Sequence, residues 1–140
     1  MKKLFVILFV FIGLNSFAQK VEKDLKYYYY YANQDKDFSA YLEARKLFDT
    51  KKYDFQLPAS KEAVAELTEN ESKILKNEKT YAEFLNRYGM KNGGDYAKLW
   101  FNQMQCLKTF IKKNPEFYKL TSKERQSVID KWYFSEVAAN

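Results

Sequence analysis

The amino-acid sequence predicts an all-α protein, a small antiparallel bundle of four or five helices that follows a cleaved N-terminal signal peptide. Three observations carry this expectation. Apolar side chains recur at steps of three and four through residues 61–88 and again through 96–113, the spacing of a helix face. A residue able to cap a helix stands before each periodic stretch. Strand-like alternation is missing outside a single run of tyrosines.

The first element is the export signal. Lys2 and Lys3 give a positive start, Leu4 to Leu14 an apolar run, and Ser16 and Ala18 the small residues that precede a cut at Ala18/Gln19. A membrane-spanning helix needs roughly 20 apolar residues, and polar Asn15 ends this run well short of that. No cysteine follows it to accept a lipid. The expected division is therefore a signal over residues 1–19 and a single helical domain over 20–140, exported to the periplasm or the medium. Loss of residues 1–19 removes two lysines and no acid, which lowers the formal charge from +6 to +4.

Residues 20–33 begin the domain as a helix or, since tyrosine fits a pleated surface, a strand through Tyr27 to Tyr31. Residues 37–52 carry Phe38, Tyr41, Leu42 and Phe48 near helical spacing, with Asp37 as the expected cap. Pro58 restricts Leu57 and makes residues 53–59 a connection before Ser60, a further cap. From Lys61 to Tyr88 the stripe of Val64, Leu67, Ile74, Tyr81, Leu85 and Tyr88 predicts one surface-packed helix or two in succession, with Thr68 and Glu71 as a capping box. Glu69/Lys73 and Glu83/Arg87 have the spacing of helix ion pairs.

Gly89 is placed to stop that helix in a left-handed conformation, and Asp95 to cap the next. Residues 96–113 show a broad apolar face of Ala97, Trp100, Phe101, Met104, Leu107 and Ile111, widened by Leu99, Cys106 and Phe110, which marks a central helix. Lys112 and Lys113 suit its negative end, and Asn114-Pro115 breaks it and opens a short turn of helix from Glu116 to Leu120. Thr121 and Glu124 have capping-box spacing ahead of a last helix over 122–137.

Composition narrows the chemistry. The chain has no histidine, which removes Ser-His-Asp and Cys-His catalysis, histidine-ligated zinc and imidazole pH switching. Cys106 is the sole cysteine, so no intrachain disulfide exists, and its apolar surroundings read as those of a buried thiol. Asn33, Asp35 and Asp37 alternate like calcium-loop ligands, but Phe38 replaces the required glycine and Ala44 the terminal glutamate, so a helix-capping turn is expected. Gly93-Gly94 lacks the lysine and hydroxyl of a phosphate loop. No cofactor or metal site is predicted.

Two features suggest binding. Five consecutive tyrosines, Tyr27, Tyr28, Tyr29, Tyr30 and Tyr31, advance by about 100° each on a helix, so some must face water, where a ring can stack on a sugar or anchor a protein. The positive charge gathers in the last third, where Lys112, Lys113, Lys119, Lys123 and Arg125, with Lys108 and Lys131, form a candidate anion-attracting surface. The sequence thus points to a non-enzymatic exported binding protein whose partner is an envelope protein or an acidic glycan. Nucleic acid is not expected, because no recognition motif is present. An inhibitor or immunity-like protein blocking an exported enzyme is one alternative. A small hydrolase using paired carboxylates, with Glu71 and Glu78 on one helix face, is the other.

Overall fold

The computed structural model describes residues 22–135, so the expected signal peptide and the last residues of the expected final helix lie outside the described residues. Every regular element among them is helical, in seven α-helices. These are α1 Leu25–Tyr31, α2 Lys36–Lys51, α3 Lys61–Ile74, α4 Glu78–Arg87, α5 Gly93–Lys113, α6 Glu116–Lys119 and α7 Ser122–Ser135. Single 3-10 turns, Ala32–Gln34 and Lys52–Asp54, extend α1 and α2. The count exceeds four or five for two reasons. The stretch 61–88 divides into α3 and α4, and residues 116–119 close a turn of their own.

Local chemistry sets most boundaries. Asp24 accepts from the Tyr27 amide at 2.8 Å and starts α1, which settles the tyrosine run as helix. Asp35, not Asp37, caps α2 and accepts from the Asp37 amide. Ser60 caps α3 through the Ala63 amide. The capping box of the 61–88 stretch is Asn77 with Thr80 rather than Thr68 with Glu71. Thr68 instead donates back to the Val64 carbonyl at 2.8 Å, and α3 kinks just beyond it at Asn70 (φ −121°, ψ 22°). Gly89 ends α4 at φ 90°, the left-handed conformation expected of it. The helix α5 starts two residues before Asp95, which lies in its first turn instead of capping it. Thr121 and Glu124 do form a reciprocal box at the head of α7.

The helices α2 and α5 are the spine. They run antiparallel: Asp37 meets Lys113 at one end, and the Phe48 and Tyr96 rings meet at 5.4 Å at the other. Helix α4 turns back on α5, with Asn86 Oδ1 accepting from the Gly93 amide at 3.1 Å and Tyr81 against Trp100 at 5.4 Å. A Cβ on Gly93 would come within 2.5 Å of Asn86 Oδ1 and 2.8 Å of Leu85 Cβ, so glycine permits this close approach.

Two apolar clusters are threaded on that spine. Tyr28, Phe38, Leu42, Phe110, Phe117 and Val128 centre the first, with Trp132 packed at its edge. Ala63, Tyr81, Phe84, Leu85, Tyr96 and Ala97 centre the second, with Trp100 at its edge. Each fully buried side chain of the Phe or Leu class contributes roughly 1.5–3 kcal/mol. Met104 and Leu107, expected on one apolar face of α5, divide: Leu107 packs on the first cluster while Met104 is exposed.

Candidate functional site

The helical twist of α1 sends the five tyrosines to different places. Tyr28 is 1% exposed, with its ring edge-on to Phe110 at 6.2 Å and Phe117 at 5.0 Å. Tyr27 packs at the border of the same cluster and against Tyr31 at 5.6 Å. Tyr29 and Tyr30 turn toward α7, where the Lys131 ammonium lies 4.1 and 4.5 Å from their ring centroids and 4.7 Å from that of Trp132. Lys131 also donates to the Tyr29 carbonyl at 2.7 Å. The electron-rich faces of three rings are thus taken by the chain's own cation. Tyr29, Tyr30 and Tyr31 all keep exposed surface, at 37%, 53% and 51%.

The C-terminal cations are dispersed as well. Lys113 pairs with Asp37. Arg125 folds onto the Tyr118 and Leu120 carbonyls and the Ser122 hydroxyl, with its guanidinium 5.1 Å from the centre of the Tyr118 ring. Lys112, Lys119 and Lys123 are exposed. Of the C-terminal cations, Lys131 is the one brought onto the tyrosine run.

The carboxylates singled out by sequence also part company. Glu71 and Glu78 fall on separate helices, because the chain breaks between Ile74 and Glu78, and both are exposed. Glu83 pairs with Lys79, and Arg87 reaches Glu66 at 2.8 Å rather than Glu83. Asp35 and Asp37 serve the end of the spine as cap and ion pair. Among the described residues no group of three or more cysteine, aspartate or glutamate side chains is placed to hold a metal ion. Cys106 is half-buried at the edge of the first cluster.

A site that sequence reading missed lies where the end of α2 meets the end of α7. Arg45, Asp49 and Lys52 follow one another at steps of four and three on α2 and its 3-10 extension. On α7, Asp130 stands three residues before Tyr133 and four before Phe134, so these side chains too turn to one side of their helix, facing those of α2. Together with Tyr53 and Thr50 they line an open cleft of about 380 Å³. Lys52 Nζ lies 2.7 Å from Asp49 Oδ1, and Arg45 Nε 3.8 Å from Asp49 Oδ2. Arg45 also donates to the Tyr41 hydroxyl at 3.1 Å. The Gln126 amide holds Asp130 at 2.6 Å. Tyr53 is 84% and Phe134 60% exposed, while Tyr133 is half-buried beneath Arg45 and Lys46.

The electrostatics keep this cleft charged. Burial works to raise the Asp49 carboxyl, yet the hydrogen bonds of Lys52 and Tyr133 and the two nearby cations outweigh it and hold Asp49 below its ordinary value. Burial, and then Asp49, push the Tyr133 hydroxyl upward, so it stays a donor. A larger concavity of about 470 Å³ lies between the 54–60 connection and the 88–92 turn, without a comparable set of fixed charges.

Fold and cleft together describe an all-α domain with an open, mixed-charge, aromatic-rimmed site, and no helix among the described residues is long and apolar enough to cross a membrane. Comparison with protein-family models, with curated proteins and with solved structures finds no match.

Proposed function

We propose that the chain is an exported, non-enzymatic binding protein of the cell envelope or medium, and that its ligand occupies the cleft between α2 and α7. The observation that carries this reading is the pairing of two strongly exposed rings, Tyr53 and Phe134, with an ordered set of charges between them. Aromatic residues beside satisfied polar groups are the usual anchors of a recognition surface. The export pattern of residues 1–19 supports a ligand met outside the cytoplasm.

The test is ligand mapping by NMR on the mature chain, using envelope extract separated into polysaccharide and protein fractions. Resonances of Tyr53, Tyr133 and Phe134 should shift with one fraction, which should be recovered unaltered. Chemical turnover of that fraction, or shifts confined to other surfaces, would overturn the reading.

A further inference from the structure

We infer that the ligand of the α2/α7 cleft is a neutral saccharide. This rests on the reading of the cleft as a binding site and specifies what it takes. The argument begins with charge. The lining is balanced, two cations against Asp49 and Asp130, and Lys52 at 2.7 Å and Arg45 at 3.8 Å share Asp49. An anionic ligand would have to separate those pairs and leave Asp49 facing it, still ionised. That exchange replaces one good pair by another and gains little. A cationic ligand drawn to Asp130, which is held by the neutral Gln126 amide, would be repelled by Arg45 and Lys52 in the same cleft.

A polyol escapes both penalties. Every sugar hydroxyl donates one hydrogen bond and accepts others, so it bridges a carboxylate oxygen on one side and an N–H on the other without breaking their pairing. The cleft interleaves acceptors on Asp49 and Asp130 with donors on Arg45 and Lys52. These side chains are partly held already, by Tyr41 on Arg45 and Gln126 on Asp130, which lowers the ordering cost on binding.

The rim supplies the other half of sugar recognition. A pyranose ring has a face of C–H groups that packs on a flat aromatic surface; Tyr53 carries Lys52 5.3 Å from its centroid but keeps 84% exposure, and Phe134 is 60% exposed, so each offers such a surface. The Tyr133 ring is covered by cations and braces Phe134 edge-on at 5.1 Å. The cleft volume of about 380 Å³ falls in the small-ligand range of roughly 300–1,000 Å³. This differs from the acidic glycan expected from the cations of the last third, because none of them lines the cleft: Lys113 pairs with Asp37 and Arg125 folds onto the Tyr118 and Leu120 carbonyls.

The experiment is saturation-transfer NMR and titration calorimetry on the mature chain. Probes are neutral glucan, mannan and chitin oligosaccharides against uronate-containing and sulfated ones. A neutral probe should bind, with transfer strongest to its C–H protons. Tyr53→Ala and Phe134→Ala should each weaken it by about tenfold. Asp130→Asn provides a polar variant outside the Asp49 pairing, and it should also weaken binding. Tyr118→Ala, at an exposed ring elsewhere, should leave it unchanged. Binding of acidic probes alone, or neutral binding indifferent to Tyr53 and Phe134, overturns the inference. If no saccharide binds while a protein fraction still shifts the cleft resonances, the saccharide inference falls and the binding reading stands. If neither perturbs the cleft, both fall.

Discussion

Asn114 Nδ2 donates to Asp35 Oδ2 at 3.0 Å, joining the residue that ends α5 to the residue that caps α2. The amide is 2% exposed and fully employed, since Nδ2 also reaches the Phe110 carbonyl and Oδ1 accepts from Lys23 at 2.8 Å. Replacing it by leucine removes one partner each from the Asp35 carboxylate, the Lys23 ammonium and the Phe110 carbonyl, and leaves the site without its buried polar link. Asn114→Leu should therefore lower unfolding free energy by about 2–4 kcal/mol in urea titrations. A change below about 0.5 kcal/mol would mean that water satisfies those groups just as well.

The Tyr28 hydroxyl is buried with no hydrogen-bond partner among the described residues, and the nearby Phe117 amide is spent on the Asn114 carbonyl at 3.0 Å. An unsatisfied buried hydroxyl is a liability of about 1–3 kcal/mol, so its removal should help. Tyr28→Phe keeps the ring contacts with Phe110 and Phe117 and should leave the melting temperature unchanged or raise it. A clear drop would reveal a partner for that oxygen.

Adjacent glycines at the start of α5 should respond in opposite ways. A methyl at Gly93 collides with Asn86 and Leu85, whereas one at Gly94 meets nothing within 4 Å. Gly94→Ala should stabilise by about 0.5–1 kcal/mol through helix propensity. Gly93→Ala should destabilise by about 1–3 kcal/mol as α4 is pushed from α5. Thermal unfolding of the two variants beside wild type decides it, and equal effects would contradict the packing of α4 on α5.

Acid should weaken the fold through two aspartates. Burial raises the Asp35 carboxyl, but the Asn114 hydrogen bond, the Asp37 and Phe38 amides and Lys113 outweigh it, and Asp49 is lowered in the same sense by its own partners. With folded-state values below the ordinary 3.8, the unfolded chain takes up protons first as pH falls. Their contribution is present in full above the unfolded value and disappears as pH falls through the lowered folded values. Melting curves from neutral pH to pH ~2.5 should show this decline, and the Asp35→Asn/Asp49→Asn double variant should show a flatter one. An unchanged slope would remove these two groups from the acid response.

Where a signal was local, the sequence carried it. Ser60 with the Ala63 amide, Gly89 at positive φ and the Thr121/Glu124 box each act within four residues, and each stands where its spacing placed it. The choice between Asp35 and Asp37 as cap was different. Both are acids at the head of the same helix, and the structure selects Asp35 while engaging it with Asn114, 79 residues away, and puts Asp37 in the first turn. Likewise the break that separates Glu71 from Glu78 follows from Asn77 and Thr80, whose box falls within a three-and-four spacing that the two glutamates interrupt, a pattern that suited one helix or two. The tyrosine run was legible as unusual, but not its fate, because that depended on Lys131 and Trp132 from the far end of the chain. The cleft was hidden for the same reason: Asp49 and Asp130 acquire a common space only when α2 and α7 converge.

The two apolar clusters each carry one of the chain's two tryptophans, Trp132 at the first and Trp100 at the second. The molecule therefore has a separate fluorescent reporter in each half. With Trp132→Phe or Trp100→Phe, emission from the remaining indole follows one cluster alone, and the two denaturation curves coincide only if the shared spine makes the halves melt as one.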